Sequence, residues 1–133
     1  MISFENILLK KLSKNFSLSE LGGVELIGWL ENLQKSANAL QTLRDHIGTP
    51  LQVTSGFRSE GHNRKVGGTS RSQHLLGLGF DIKADGLTSD RLAYIIKALM
   101  KVELIPQGGV GIYDRHVHVD FRGTPARWSG TSK

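Results

Sequence analysis

The sequence predicts an α+β fold, a mainly antiparallel sheet flanked by helices. Two segments repeat apolar residues every three or four positions, as an amphipathic helix does. Four short segments read as strands, and the order α, β, loop, β, α, β, β ends in two strands joined by a tight turn. With 133 residues, no linker between unlike halves and no internal repeat, residues 1–133 are expected to form one domain.

The first helix is expected over Leu26–Ile47, where Leu26, Leu30, Leu33, Ala37, Leu40, Leu43 and Ile47 recur on one face, and Gly48-Thr49-Pro50 stops it. Leu51–Ser55 is short, holds Val and Thr, and reads as a strand ending at Gly56. A Gly- and Ser-containing loop, Gly67–Ser72, follows a short polar segment. From Leu78 to Lys83, Phe80 and Ile82 alternate with Gly79, Asp81 and Lys83, the pattern of a half-buried strand. Thr88 or Ser89 can cap a second helix with Leu92, Ile95, Ile96 and Leu99 on one face, ending before Pro106. Gly108–Tyr113 and His116–Arg122 then read as strands on either side of Asp114-Arg115.

Composition narrows the function. The longest apolar stretch, around Leu92–Met100, is broken by Lys97 and falls far short of the roughly 20 residues that span a bilayer, so no membrane insertion is expected. The net charge of +5 suits an acidic partner such as nucleic acid, anionic lipid or anionic wall polymer. Lys and Arg are nevertheless scattered, with no dense basic run or interleaved aromatics, and no nucleic-acid role is expected. MISFENILLKK has no basic segment before its apolar residues and no evident cleavage site after them, so no signal peptide is visible. The absence of cysteine removes disulfides and thiolate ligands. Any zinc here is then expected to be of the catalytic kind, with three His or carboxylate ligands and an open position.

Two clusters carry chemistry. In His116-Val117-His118-Val119-Asp120-Phe121 a strand places His116, His118 and Asp120 on one face and the apolar residues on the other. A surface strand with chance histidines would look the same. In Ser72-Gln73-His74-Leu75-Leu76-Gly77-Leu78-Gly79-Phe80-Asp81, a His precedes a strand-borne Asp by seven positions, with glycines that let the chain turn between them. Alone, His74 could cap a helix and Asp81 could pair with a lysine. Together the clusters offer a His/Asp/His set.

The second cluster resembles Ser-x-His-x-x-Gly-x-Ala-x-Asp, followed downstream by a strand carrying x-His. This is the pattern of the D-alanyl-D-alanine carboxypeptidase-like zinc peptidases, which share the Hedgehog/DD-peptidase fold. Ser72, His74, Gly77, Asp81 and His118 match it, with Gly79 in place of Ala. The resemblance continues in order through Leu12-Ser13-Lys14-Asn15-Phe16, Thr54-Ser55-Gly56-Phe57-Arg58-Ser59, His62-Asn63, Val66-Gly67-Gly68, Gly108-Gly109-Val110-Gly111 and Ala126-Arg127-Trp128.

The resemblance implies that His74, Asp81 and His118 ligate Zn2+ and that the activity is hydrolysis of peptidoglycan peptides. The bond would be in a stem peptide or a cross-link, and the enzyme a carboxypeptidase or an endopeptidase acting as a monomer. Arg58 sits where the family places an arginine that holds substrate or stabilises the oxyanion. Ser72 and Gln73 would orient a ligand or contact substrate. In many members a carboxylate lies three residues before the last zinc histidine, and here that position is Arg115. The expected acid/base residue is therefore His116, with Asp114 as a carboxylate base displaced by the turn. The rival expectation is a non-catalytic zinc-containing wall-binding or phage structural module on the same fold. The site of action is expected to be the bacterial wall, in the periplasm or outside the cell, for a host remodelling enzyme or for a phage lysis protein released by a partner. Asp120 is expected to support a ligand or form an ion pair, His46 and His62 to be structural, Trp29 to be core, and Trp128 to be core or to wall the substrate groove.

Overall fold

A computed structural model of the chain describes residues 11–21, 30–55 and 78–130, and in it short strands and helices combine into an α+β arrangement. The strands β1 (Lys11–Ser13) and β2 (Phe16–Ser17) form a small antiparallel hairpin, and α1 (Leu18–Leu21) follows at once. Ser17 and Glu20 close the start of α1 reciprocally. The Ser17 N–H donates to Glu20 Oε1 at 3.2 Å, and the Glu20 N–H donates to Ser17 Oγ at 3.4 Å.

The long helix α2 is described over Leu30–Ile47, and the part of the expected helix before Leu30 lies outside the described residues. It ends where expected: Gly48 takes φ +71°, and its N–H donates to the Arg44 carbonyl at 3.0 Å. Paired amides tie the N-terminal hairpin to α2, with the Asn15 N–H donating to Gln41 Oε1 and Gln41 Nε2 donating to Asn15 Oδ1, both at 2.8 Å.

The remaining elements are β3 (Leu51–Ser55), β4 (Gly79–Ala84), α3 (Ser89–Lys101), β5 (Gly109–Ile112), β6 (Val117–Asp120) and β7 (Ala126–Ser129). Thr88 caps α3 as expected, its side chain accepting the Arg91 N–H at 3.2 Å. The five longer strands form a sheet in the order β3-β4-β6-β5-β7. Three of its pairings are antiparallel; the β5–β7 pairing is parallel. The sheet is thus mixed but mainly antiparallel, as expected, its one parallel pairing arising where β7, a strand outside the expected elements, returns along β5 at the edge.

Alternation divides the sheet. Phe80, Ile82, Val110, Val117 and Val119 are buried in one core with Leu92, Ile96 and Met100 of α3 and Leu33, Leu40 and Leu43 of α2. The intervening residues of the same strands face the other way, and there the chemistry lies.

Candidate metal centre

Register brings the two clusters together. Asp81 on β4 pairs with His118 on β6, His118 with Gly111 on β5, and Gly111 with Trp128 on β7, so the four form one row across the sheet. Directly opposed residues of an antiparallel pair, as Asp81 and His118 are, hold their Cβ atoms about 4.5–5.5 Å apart. Asp81 Oδ1 lies 3.4 Å from His118 Nδ1 and 3.9 Å from His116 Nε2. Two of the three expected ligands and one expected acid/base residue therefore share one spot. His74, Arg58, Ser72 and Gln73 lie outside the described residues, as do His62 and Trp29.

The other nitrogen of His118 is fixed from below. Its Nε2 is 2.7 Å from Asp120 Oδ2, and Asp120 is fully buried. That carboxylate also accepts from the Gly109 N–H at 2.8 Å, from Arg122 Nε at 2.8 Å and from Arg122 Nη2 at 2.6 Å. Burial alone would push the Asp120 carboxyl up, but the hydrogen bonds from Arg122, His118 and Gly109 outweigh it and hold the group well below the usual carboxylate range. The same partner raises Arg122. At His118, burial opposes the imidazolium, yet the hydrogen bonds and charges of Asp120 and Asp81 prevail and raise its pKa. Space for the buried carboxylate comes from glycine: a Cβ at Gly109 would collide with Asp120 Oδ2.

These donors suit a zinc ion. Two ligand atoms at about 2.0–2.2 Å from a tetrahedral zinc are about 3.3–3.6 Å apart, which brackets the 3.4 Å between Asp81 Oδ1 and His118 Nδ1. For a hydrogen bond the same separation is long, since the charge-assisted form closes to about 2.7–2.9 Å. A ligating histidine characteristically donates its second N–H to a carboxylate, as His118 does to Asp120. On the Nδ1 side, the Asp81 carboxylate can face a divalent cation as it faces a proton there. Among the described residues no group of three such ligands is assembled, the third expected member, His74, lying outside them.

Of the two expected base candidates, His116 is seen against the Asp81 carboxylate, with its side chain about one-fifth exposed. Asp114 is half exposed in the turn, 4.0 Å from Arg115 Nε. Aromatic rings frame both histidines. Tyr113 stacks on His116 with centroids 4.5 Å apart and planes at 10°, and Trp128 leans on His118 at 5.0 Å and 44°. Trp128 thus walls the site from the edge strand. Sequence reasoning did not single out Tyr113 or Arg122. The alternation that placed Asp120 on the His118 face would also have placed Arg122 there, two residues on.

A family model described as peptidase M15 matches residues 10–120. No curated protein matches the chain closely enough to count as a relative. The match covers both Asp81 and His118 and most of the 133 residues, and the chain belongs to the peptidase M15 family of D-Ala-D-Ala carboxypeptidase-like zinc peptidases.

Proposed function

We propose that the whole chain is a single zinc peptidase domain of the Hedgehog/DD-peptidase type that hydrolyses peptide bonds in bacterial peptidoglycan, with His74, Asp81 and His118 as the metal ligands. The observation that carries this is the Asp81–His118 pair at 3.4 Å, backed by buried Asp120, in a chain of this family. Zinc, when bound, supplies a Lewis acid for the scissile carbonyl and lowers the pKa of a water molecule to about 7. The remaining work falls to the protein. Asp120 keeps the proton of His118 on Nε2, so that Nδ1 presents its lone pair on the Asp81 side. Arg122 balances the buried charge of Asp120. His116 Nε2 takes the proton of the attacking water and returns it to the departing amine. Arg58 forks to a substrate carboxylate, because stem peptides carry free carboxylates and a guanidinium remains charged. Ser72 and Gln73 position the substrate beside the ligands. The protein acts on the wall, in the periplasm or outside the cell.

The test is incubation of the purified chain, zinc-loaded or treated with a chelator, with defined muropeptides, the products being identified by mass spectrometry. Zinc-dependent release of D-alanine or opening of a stem or cross-link bond is expected, and no cleavage by the zinc-loaded protein removes the enzymatic reading. His116→Ala is expected to retain zinc and lose about 100- to 10,000-fold in turnover, the range of a general acid/base. Asp114→Asn is expected to lose less, and the opposite order makes Asp114 the base. Arg115, standing where many members have a carboxylate, favours one other reading, a non-catalytic zinc-containing wall-binding or phage structural module. Full zinc content with wall binding and no turnover would select it.

A further inference from the structure

We propose that Tyr113 and Trp128 form a positioning unit that holds the His116 ring against the Asp81 carboxylate; its catalytic consequence rests on His116 being the proton-handling residue. His116 stands one residue before β6, so its ring is carried by the hairpin turn rather than by the strand ladder. The backbone there is closed by the Tyr113 N–H donating to the His116 carbonyl at 3.0 Å, with exposed Asp114 and Arg115 between. Proton transfer needs the ring placed more finely than a two-residue turn provides, since a misplacement of about 1 Å can cost about 100-fold in rate.

The β5–β7 edge supplies a restraint of that kind. The phenol ring of Tyr113 lies parallel to the imidazole at 4.5 Å. Gly130 lies against that phenol: a Cβ there would be 2.6 Å from Tyr113 Cε1, so a side chain at 130 would drive the ring away. The far end of the phenol is tied down by Trp128, whose Nε1 is 3.0 Å from the Tyr113 hydroxyl. An indole N–H can only donate, so the phenol oxygen accepts, and its rotation is restrained. Trp128 in turn lies across Gly111, where a Cβ would run into Nε1 and Cε2 of the indole. The same indole leans on His118 at 5.0 Å. Glycines at 111 and 130 therefore seat two aromatic rings, and each ring braces one imidazole. The placement gives the half-exposed edge strand β7 a reason to carry a tryptophan.

The test uses the full zinc-loaded chain with a defined muropeptide, measuring kcat, KM, zinc content and the NMR shifts of the His116 ring protons. In Tyr113→Leu, kcat is expected to fall about 100-fold, with KM and zinc content near the parent's and the His116 protons moving downfield as the stacked ring current disappears. Tyr113→Phe keeps an aromatic ring beside His116 but loses the hydrogen bond from Trp128, and is expected to fall between Tyr113→Leu and the parent in both ring shifts and kcat. Gly111→Ala leaves Tyr113 and His116 intact but displaces Trp128, and is expected to move the same protons in the same direction. It also serves if Tyr113→Leu does not fold. Unmoved His116 shifts in Tyr113→Leu, or in Gly111→Ala where the first variant does not fold, overturn the proposal. So does loss of zinc in Tyr113→Leu, which would make Tyr113 part of the ligand scaffold. Unchanged kcat in His116→Ala would instead remove the role given to His116, while the His116 shifts in Gly111→Ala, which keeps the Tyr113 ring, would still decide whether Tyr113 and Trp128 position it.

Discussion

On one face of the five-stranded sheet, Phe80, Ile82, Val110, Val117 and Val119 lie in the core with α2 and α3. On the other, the residues between them supply two carboxylates, an imidazole and two glycines: Asp81, Asp120, His118, Gly109 and Gly111. The strands are the same, and a shift of one residue separates a hydrophobic core from a candidate metal centre. The core face tolerates no polar group without a partner. The site face holds buried Asp120 only because the Gly109 N–H, Arg122 and His118 surround it. Precision on that face is therefore supplied by the core behind it, which fixes strand register and hence the pairing of Asp81 with His118.

If the faces are separable in this way, substitutions on each should have different readouts. The largest effect is expected from His118→Ala. Zinc content, measured by atomic absorption on the purified protein, should fall to background and hydrolysis by about 1,000-fold or more, while the circular dichroism of the sheet persists. Retained zinc would remove His118 from the ligand set. On the core face, Phe80→Ala removes a fully buried ring one residue from Asp81 and should lower unfolding stability by about 3–5 kcal/mol in denaturant titrations. Its folded fraction should bind zinc with the parent's stoichiometry. Lost zinc binding in fully folded protein would show that the two faces are not separable.

How much of this was legible beforehand depended on whether a signal was local. The alternation in Gly79–Ala84 and Val117–Asp120 assigned each residue to its face, and Thr88 announced the start of α3, because both follow from neighbouring residues. The β1–β2 hairpin was missed because strands of three and two residues leave no period to read. Strand β7 was missed for another reason: Ala126–Ser129 is half-exposed, and only its parallel register with Gly109–Ile112 makes it a strand. The position of Trp128 over Gly111 depends on that register. So does the bracing of His118, although both residues stood in plain view in the sequence.

The smallest effect should come from Asp120→Asn, and it dissects the site face most finely. Three donors, the Gly109 N–H, the Arg122 N–H and Arg122 Nε, converge on Oδ1, so the amide oxygen of an asparagine must occupy that position. Its NH2 is then forced to the Oδ2 position, facing His118 Nε2 and Arg122 Nη2. Two donors cannot face each other: the guanidinium, which keeps its protons, must draw its Nη2 away, and His118 must give up the proton on Nε2 and carry it on Nδ1, the atom turned towards Asp81. The lone pair needed for a metal is then on the wrong nitrogen. Zinc affinity, measured by chelator competition, should weaken about 10- to 100-fold, with the change of tautomer visible in the 15N shifts of the metal-free protein. Wild-type affinity in Asp120→Asn would mean that His118 does not depend on Asp120 for its orientation, and the buried Asp120–Arg122 pair would then serve the fold rather than the metal.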